Sequence, residues 1–331
     1  MTALFPTDPV LVEARSCADA GAWADVLTLL APRASVAARD GESAVLYAEA
    51  LMRTGNERRA LAWLRSIETH LAEDGDHSAH RRSVNMIGAA CLALGELDSA
   101  ASAFSTALEL ATQADDLLVL ARATNNLGNI ANLQGDHERA LWHYRVSLPT
   151  FQRLGQRRGL AASYHNMAIT FRDLEQLEEA DEHERRAIEY ATEGAVPRLA
   201  CMGRIGRAEI ALRRGDAPLA EMTARLAADE LMRLGDPQNE ADALRLVGAA
   251  CTAQRKYAEA LEAFDRALGI AHARGHALNE AETLRDRVQV YVSQGETALA
   301  IADAKAAIAI FTRLGALTER QALERRLEQL G

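Results

Sequence analysis

The sequence predicts an all-α fold, a solenoid of antiparallel helix pairs stacked in about seven 40-residue units between terminal caps. Three observations carry that prediction. Ala60, Ala100, Ala140, Ala180, Ala220, Ala260 and Ala300 recur every 40 residues without interruption. Five residues before each comes a turn position, held by Gly55, Gly95, Gly135, Gly215 and Gly295, with Glu175 and Arg255 as exceptions. A third series, Ala48, Gly88, Gly128, Ala168, Ala208, Gly248 and Val288, falls in the preceding segment, while Gly75, Gly155, Gly235, Gly275 and Gly315 mark a second turn. Each unit thus reads as two helices and two turns. Small residues let the paired helices approach closely, and a Gly past a helix end takes the left-handed conformation that closes it.

Taken in order, residues 1–40 read as an N-terminal cap, a degenerate hairpin from Asp8 to Arg39 that turns at Gly21 and lacks the signature Ala. Residues 41–314 hold the seven units. In the third, Asn125 to Gln134 and Asp136 to Arg153 are the two helices, with Asp136 placed to accept from free amides of the second. Pro197 and Pro237, 40 apart, fall where helices begin and need no amide hydrogen bond. Pro149 lies inside a predicted helix and is expected to kink it near Arg145. Residues 315–331 form a C-terminal cap: Leu317 to Leu330 is one helix whose Leu323, Leu327 and Leu330 make an apolar stripe beside Arg320, Glu324 and Arg325. That stripe suits covering the last unit or a weak homodimer contact. No single hairpin buries both of its faces, so stability is roughly a nearest-neighbour sum.

Composition narrows the function. With 49% hydrophobic and 25% charged residues the 331-residue chain has material for a folded body, but only 5% aromatic content, so its core must come from close backbones. A net charge of -10 argues against general nucleic-acid binding, which needs a basic surface to neutralise phosphates. Cys17, Cys91, Cys201 and Cys251 form no Cys-x-x-Cys pair and read as reduced thiols. No run approaches the roughly 18 apolar residues of a membrane span, and Met1 to Pro9 lacks the regions of a signal peptide, so the expected location is cytoplasmic, with no membrane partner. No phosphate loop, dinucleotide glycine pattern or nucleophile elbow is present in the sequence. His77 with His80 and His272 with His276 do not supply three zinc ligands, and the acids Glu178, Glu179, Asp181, Glu182 and Glu184 read as a solvated face. The expectation is a non-enzyme without cofactor or metal.

Leu127-Gly128 with Ala140 and Tyr144, Met167-Ala168 with Ala180, and Ala260 with Phe264 and Ala267 resemble the signature of tetratricopeptide repeats. That family's usual unit is 34 residues. The 40-residue unit, the string Asn125-Asn126-Leu127-Gly128-Asn129 and the turn Gly135-Asp136 are similar to the long-helix variety of spindle-orientation adaptors, kinesin light chains and bacterial regulators. The resemblance implies a right-handed superhelix whose concave wall is made by the first helix of each unit, and a protein or peptide partner bound along that wall.

On the implied wall, Asn125, Asn129 and Asn132 share one helix face, with Asn85 and His165 at the register of Asn125 in neighbouring units. Asn is a poor helix former, and its amide can both donate to and accept from an extended backbone. Arg82, Arg122 and Arg172 lack an acid three or four residues away on the wall of the same helix, whereas Asp242 with Arg245, Glu282 with Arg285, and Glu209 with Arg213 are spaced to neutralise one another. The candidate peptide-binding residues are therefore Arg82, Asn85, Arg122, Asn125, Asn129, Asn132, His165 and Arg172, and an acidic segment suits them best. The leading expectation is a scaffold or adaptor for such a segment. The alternative is a regulatory sensor responding to a small molecule or peptide.

Overall fold

The computed structural model describes residues 8–33, 40–73 and 77–328, and among these every regular element is helical. The expected positions Arg39, Gly75 and Leu330 lie outside the described residues. Contacts divide the chain into two compact units, residues 1–155 and 156–331. The first begins with a hairpin, α1 (Pro9–Asp19) and α2 (Trp23–Leu30), joined through Gly21 at a φ of 75° and followed by a short 3-10 turn. Three pairs follow: α3 (Gly41–Arg53) with α4 (Glu57–Glu73), α5 (His77–Ala93) with α6 (Leu97–Gln113), and α7 (Leu117–Leu133) with α8 (His137–Arg153). The second unit holds α9 (Arg157–Asp173) with α10 (Leu177–Glu193), α11 (Pro197–Arg213) with α12 (Ala217–Arg233), α13 (Pro237–Ala253) with α14 (Tyr257–Arg274), α15 (Ala277–Gln294) with α16 (Thr297–Leu314), and α17 (Leu317–Glu328).

The 40-residue period is two half-periods of 20. From α5 to α13 each helix has 17 residues and each described link three. The helix that closes the third pair starts where Asp136 accepts from the Arg139 amide, as its sequence position implies. Its partner α7 starts at Leu117, one half-period earlier, not at Asn125, and is capped by Asp116 accepting from Val119. The signature residues cluster in the second half of the first helix, so they do not mark its beginning. Pro197 and Pro237 occupy first turns as expected. Pro149 does not break α8, which runs unbroken to Arg153. Pro149 and Arg145 are both exposed, so the carbonyl that loses its partner faces water.

Each helix pair closes on a slot between a small residue of the first helix and the residue 16 positions later in the second. A Cβ on Gly88 would lie 2.6 Å from the Phe104 ring, one on Gly128 2.6 Å from Tyr144, and one on Gly248 2.6 Å from Phe264. Those aromatic rings are buried. Volume is thus balanced locally, ring against missing methyl, which is how a chain with few aromatics reaches native packing density. The signature alanines from Ala60 to Ala300 are all fully buried. At the C-terminal end α17 buries Leu323 in a cluster with Ala304, Ala307 and Phe311, and Leu327 packs against its edge.

Within each unit, first helices also pack on the first helices of the next pair: α3 on α5 and α5 on α7, then α9 on α11, α11 on α13 and α13 on α15. Second helices make no comparable set of contacts among the described residues. The first helices therefore form the tighter, inner wall of each unit.

Candidate functional site

In the first unit the inner wall is built from α3, α5 and α7. Asn126 Nδ2 donates to Asn85 Oδ1 at 3.4 Å and clasps α7 to α5. Tyr144 OH donates to Asn129 Oδ1 at 3.0 Å, so the ring that fills the Gly128 slot also turns the Asn129 amide. Asn132 Oδ1 lies 3.0 Å from His137 Nδ1. Asn125 is buried, and it too is engaged rather than free. The expected Asn stripe is therefore partly internal: Asn85, Asn129 and Asn132 are half-buried and reach the surface, whereas Asn125 belongs to the packing.

Arg82 and Arg122 stand one period apart on this wall, Arg82 half-buried and Arg122 exposed. The acids nearby are taken by other arginines. Arg53 Nη2 is 3.2 Å from Glu49, and Arg81 Nε is 3.0 Å from the Asp116 cap. Burial lowers the pKa of Arg122 below its usual value; Arg82 and Arg53 push the same way, against Glu49 and Asp116.

The second unit treats its charges differently. Arg172 contacts Glu209 of the next first helix, and its Nη2 is 3.6 Å from Asp173. Counting acids on one helix missed Glu209, because stacking brings a residue 37 positions on beside Arg172. Arg245 is buried among Asp242 at 2.8 Å, Asp286 at 2.9 Å, Glu209 at 3.7 Å and Glu282 at 3.8 Å. Of the three expected same-helix pairs, Asp242 with Arg245 forms. Arg213 instead bonds Glu175 at 3.0 Å, and Arg285 bonds Asp286 at 2.9 Å. Arg213 thus reaches the turn before α10, and Arg285 its neighbour on the same helix.

His165 is buried, and its Nδ1 lies 2.9 and 3.0 Å from the two oxygens of Glu184. Burial opposes the charged ring, yet the charge and hydrogen bond of Glu184 outweigh it and hold the His165 pKa above its usual value. Burial raises Glu184 too, with His165 opposing. Glu184 is 1% exposed, so it is not part of a solvated acid run. The signal was present in the register: Glu184 follows Ala168 by 16 residues, in the slot that Phe104, Tyr144 and Phe264 occupy elsewhere. A Cβ on Gly206 would lie 2.1 Å from its Oε1, so the next helix also makes room for the carboxylate.

Glu221, Cys251 and Glu259 bring three donor atoms within 4.8 Å of one another. The chain's own cations already occupy them. Arg225 reaches Glu221 at 2.9 Å, Glu259 at 3.0 Å and Cys251 Sγ at 3.6 Å, and Lys256 Nζ is 2.8 Å from Glu221. The Lys256 hydrogen bond is the main influence holding Glu221 at about 2, and burial pushes the Cys251 thiol up to about 11. A protonated thiol beside two paired carboxylates is a poor ligand set. No helix among the described residues is long and apolar enough to cross a membrane.

A family model of the tetratricopeptide repeat matches residues 119–193 and 239–313. No curated protein matches the chain. Among solved structures it is similar to a chain of the APC/C hetero-tetramer Cut9-Hcn1, at 16% identity and a TM-score of 0.67, over 92% of this chain and 52% of that one. It thus spans about half the length of that relative. It is also similar to the Rap conjugation gene regulator of plasmid pLS20 in complex with the Phr* peptide, at 14% identity and 0.67, covering 85% and 76%. A Rap protein complexed with Competence and Sporulation Factor matches at 13% identity and 0.64, over 97% of this chain and 96% of that one. At these identities the likeness is one of fold. Residues 119–193 and 239–313 are thus tetratricopeptide repeats, and helices from Gly41 to Leu314 carry the same period in the fold of a tetratricopeptide solenoid.

Proposed function

We propose that this chain is a non-enzymatic, cytoplasmic interaction scaffold that binds an extended, acidic segment of another protein on the inner wall of its first unit. The observation that carries the reading is the company of Asn85, Asn129 and Asn132 amides with two arginines, Arg82 and Arg122, that form no ion pair among the described residues. Amides match a peptide backbone in either sense, and guanidiniums supply the preference for acid. His165 and Arg172, at corresponding places in the second unit, serve that unit's own packing in this reading. Residues 1–40 and 315–331 are assigned as caps, and the protein as a monomer or a weak dimer through the C-terminal one. Six neutral hydrogen bonds at about 0.5–1.5 kcal/mol each, set against association costs of at least about 4 kcal/mol, make micromolar affinity the expectation.

The test is affinity capture from the source cell's lysate, comparing the unaltered chain with Arg82→Ala/Arg122→Ala/Asn129→Ala, read by mass spectrometry. A protein retained by the first and lost from the second supports the wall. Identical captures would move the binding surface elsewhere. A second reading, a peptide-responsive regulator, is favoured by the Rap likeness, which extends over nearly the whole of both chains. It expects a change in radius of gyration when the captured segment is added.

A further inference from the structure

The inner wall of the first unit holds a charge surplus with a definite place. Its three helices carry Arg53, Arg81, Arg82 and Arg122 against Glu42 and Glu49, four arginines to two carboxylates, a surplus of two. Arg53 meets Glu49, and Arg81 meets the cap Asp116. Neither Arg82 nor Arg122 makes an ion pair or a side-chain hydrogen bond among the described residues. They sit at one register on adjacent, touching helices. One turn further along, the Asn126 to Asn85 hydrogen bond at 3.4 Å fixes those helices to each other, so the two arginines are held as a pair by the backbone. Arg122 is near enough to Arg82 to feel its charge, and burial, with Glu49 and Asp116 acting against Arg82 and Arg53, holds its pKa below the usual value.

The chemistry of the forks selects among anions. A carboxylate carries one charge, so it balances one guanidinium and leaves the charge of the second uncompensated. A phosphate monoester carries nearly two charges on three acceptor oxygens and offers edges to two guanidiniums approaching from two helices. We infer that Arg82 and Arg122 form a docking point for a phosphate monoester, a phosphorylated side chain on the bound segment, with the clasped Asn85 and Asn126 setting their spacing. This rests on the reading above only in taking the inner wall as the binding face.

The experiment titrates the full chain with inorganic phosphate, then with a capped phosphoserine tripeptide, at constant ionic strength, following arginine Nε–H resonances by NMR. Sodium acetate is the control. Phosphate should shift two Nε–H signals saturably, with acetate weaker by about tenfold or more, as the loss of one charged hydrogen-bonded pair implies. Arg82→Gln/Arg122→Gln should abolish the response while keeping the helical circular dichroism; if that double variant unfolds, Arg82→Gln and Arg122→Gln singly should each weaken binding about tenfold. The tripeptide should bind at least as well as free phosphate. Equal responses to acetate and phosphate, or phosphate binding that survives both substitutions, would overturn the site. Phosphate binding with the phosphoserine peptide excluded would overturn its assignment to a side chain. A lysate capture that fails while phosphate still binds removes the scaffold reading and leaves the anion site.

Discussion

The two units repeat one backbone and spend their polar residues in opposite ways. On the inner wall of the first, Arg82 and Arg122 make no ion pair among the described residues, and Asn85, Asn129 and Asn132 are half-buried amides. On the inner wall of the second, Arg172, Glu209, Arg245 and Asp286 are tied to one another across helices. In the core slot, the first unit places Phe104 and Tyr144, whereas the second keeps Phe264 in one pair and places Glu184 against His165 in another. The difference teaches that a periodic scaffold holds its shape through the small residues and turns. The wall and the slot are then free to be specialised one unit at a time. Trp23, Trp63 and Trp142 all precede residue 155, so tryptophan fluorescence follows the first unit alone, and circular dichroism follows both.

The largest effect is expected at the buried pair. Glu184→Ala leaves His165 without its partner and should cost about 3–5 kcal/mol, because an uncompensated buried charge loses more than the pair gains. The denaturation curve by circular dichroism should split, with the tryptophan midpoint unchanged. Coincident shifts in both probes would show that the units melt together and would remove the basis for treating them apart.

The same pair gives a pH dependence of known sign. Both pKa values stand above ordinary, so the folded chain keeps protons that the unfolded chain has released. The His165 contribution is full below the unfolded value of about 6.5 and is lost as pH rises through the raised folded value; Glu184 acts in the same sense from about 4.3 upward. Besides each other, Arg172 and Glu209 are the charged groups acting on them. The second-unit midpoint should therefore fall as pH rises from about 6 to 9. His165→Gln/Glu184→Gln should flatten that slope. A midpoint that instead rises would mean the pair sheds its protons on folding.

Smaller effects test the shared scaffold. Ala140→Leu should overpack the joint between α7 and α8 by about 1–3 kcal/mol, since Ala140 is fully buried, while Ala298→Leu at an exposed position should stay within about 0.5 kcal/mol. Equal costs would mean the two positions do not differ in packing. Tyr144→Phe keeps the ring in the Gly128 slot and removes the hydroxyl that holds Asn129, for about 0.5–1.5 kcal/mol, read as a shift of the tryptophan midpoint.

The fold was legible because its determinants are periodic. Alanine and glycine mark the two sites where a helix pair must be thin, and any larger residue there meets a neighbour. The wall was legible only in part. Arg82, Arg122 and the Asn stripe could be placed on one face, but which of them stays uncovered depends on residues one period away, as Glu209 does for Arg172. Glu184 was hidden by its neighbours: four other acids lie in the six residues before it, and only the 16-residue offset from Ala168 separates a core carboxylate from a solvated one.

The smallest effect concerns a glycine that stands one position off its mark. Left-handed residues recur every 20 positions from Gly95 onward, and where glycine is missing the chain holds Asp115, Glu175, Ala195 or Arg255 at a φ of 54°, 58°, 50° or 61°. Three of those four lie in the second unit. Gly194 precedes the turn position before α11, with a φ of -85°, and Ala195 carries the strain. Gly194 is needed for space: a Cβ there would lie 2.7 Å from Arg157 Cβ. Ala195→Gly should thus stabilise the second unit by ~1 kcal/mol, since an L-residue pays about 1–2 kcal/mol in this conformation and extra chain entropy returns part of the gain. Gly135→Ala, with open space around its Cβ and a φ of 79°, should cost the first unit a similar amount for the same reason. Opposite shifts of similar size, each in its own probe, would separate backbone strain from packing. A loss in both variants would mean that Ala195 makes a packing contribution larger than its strain.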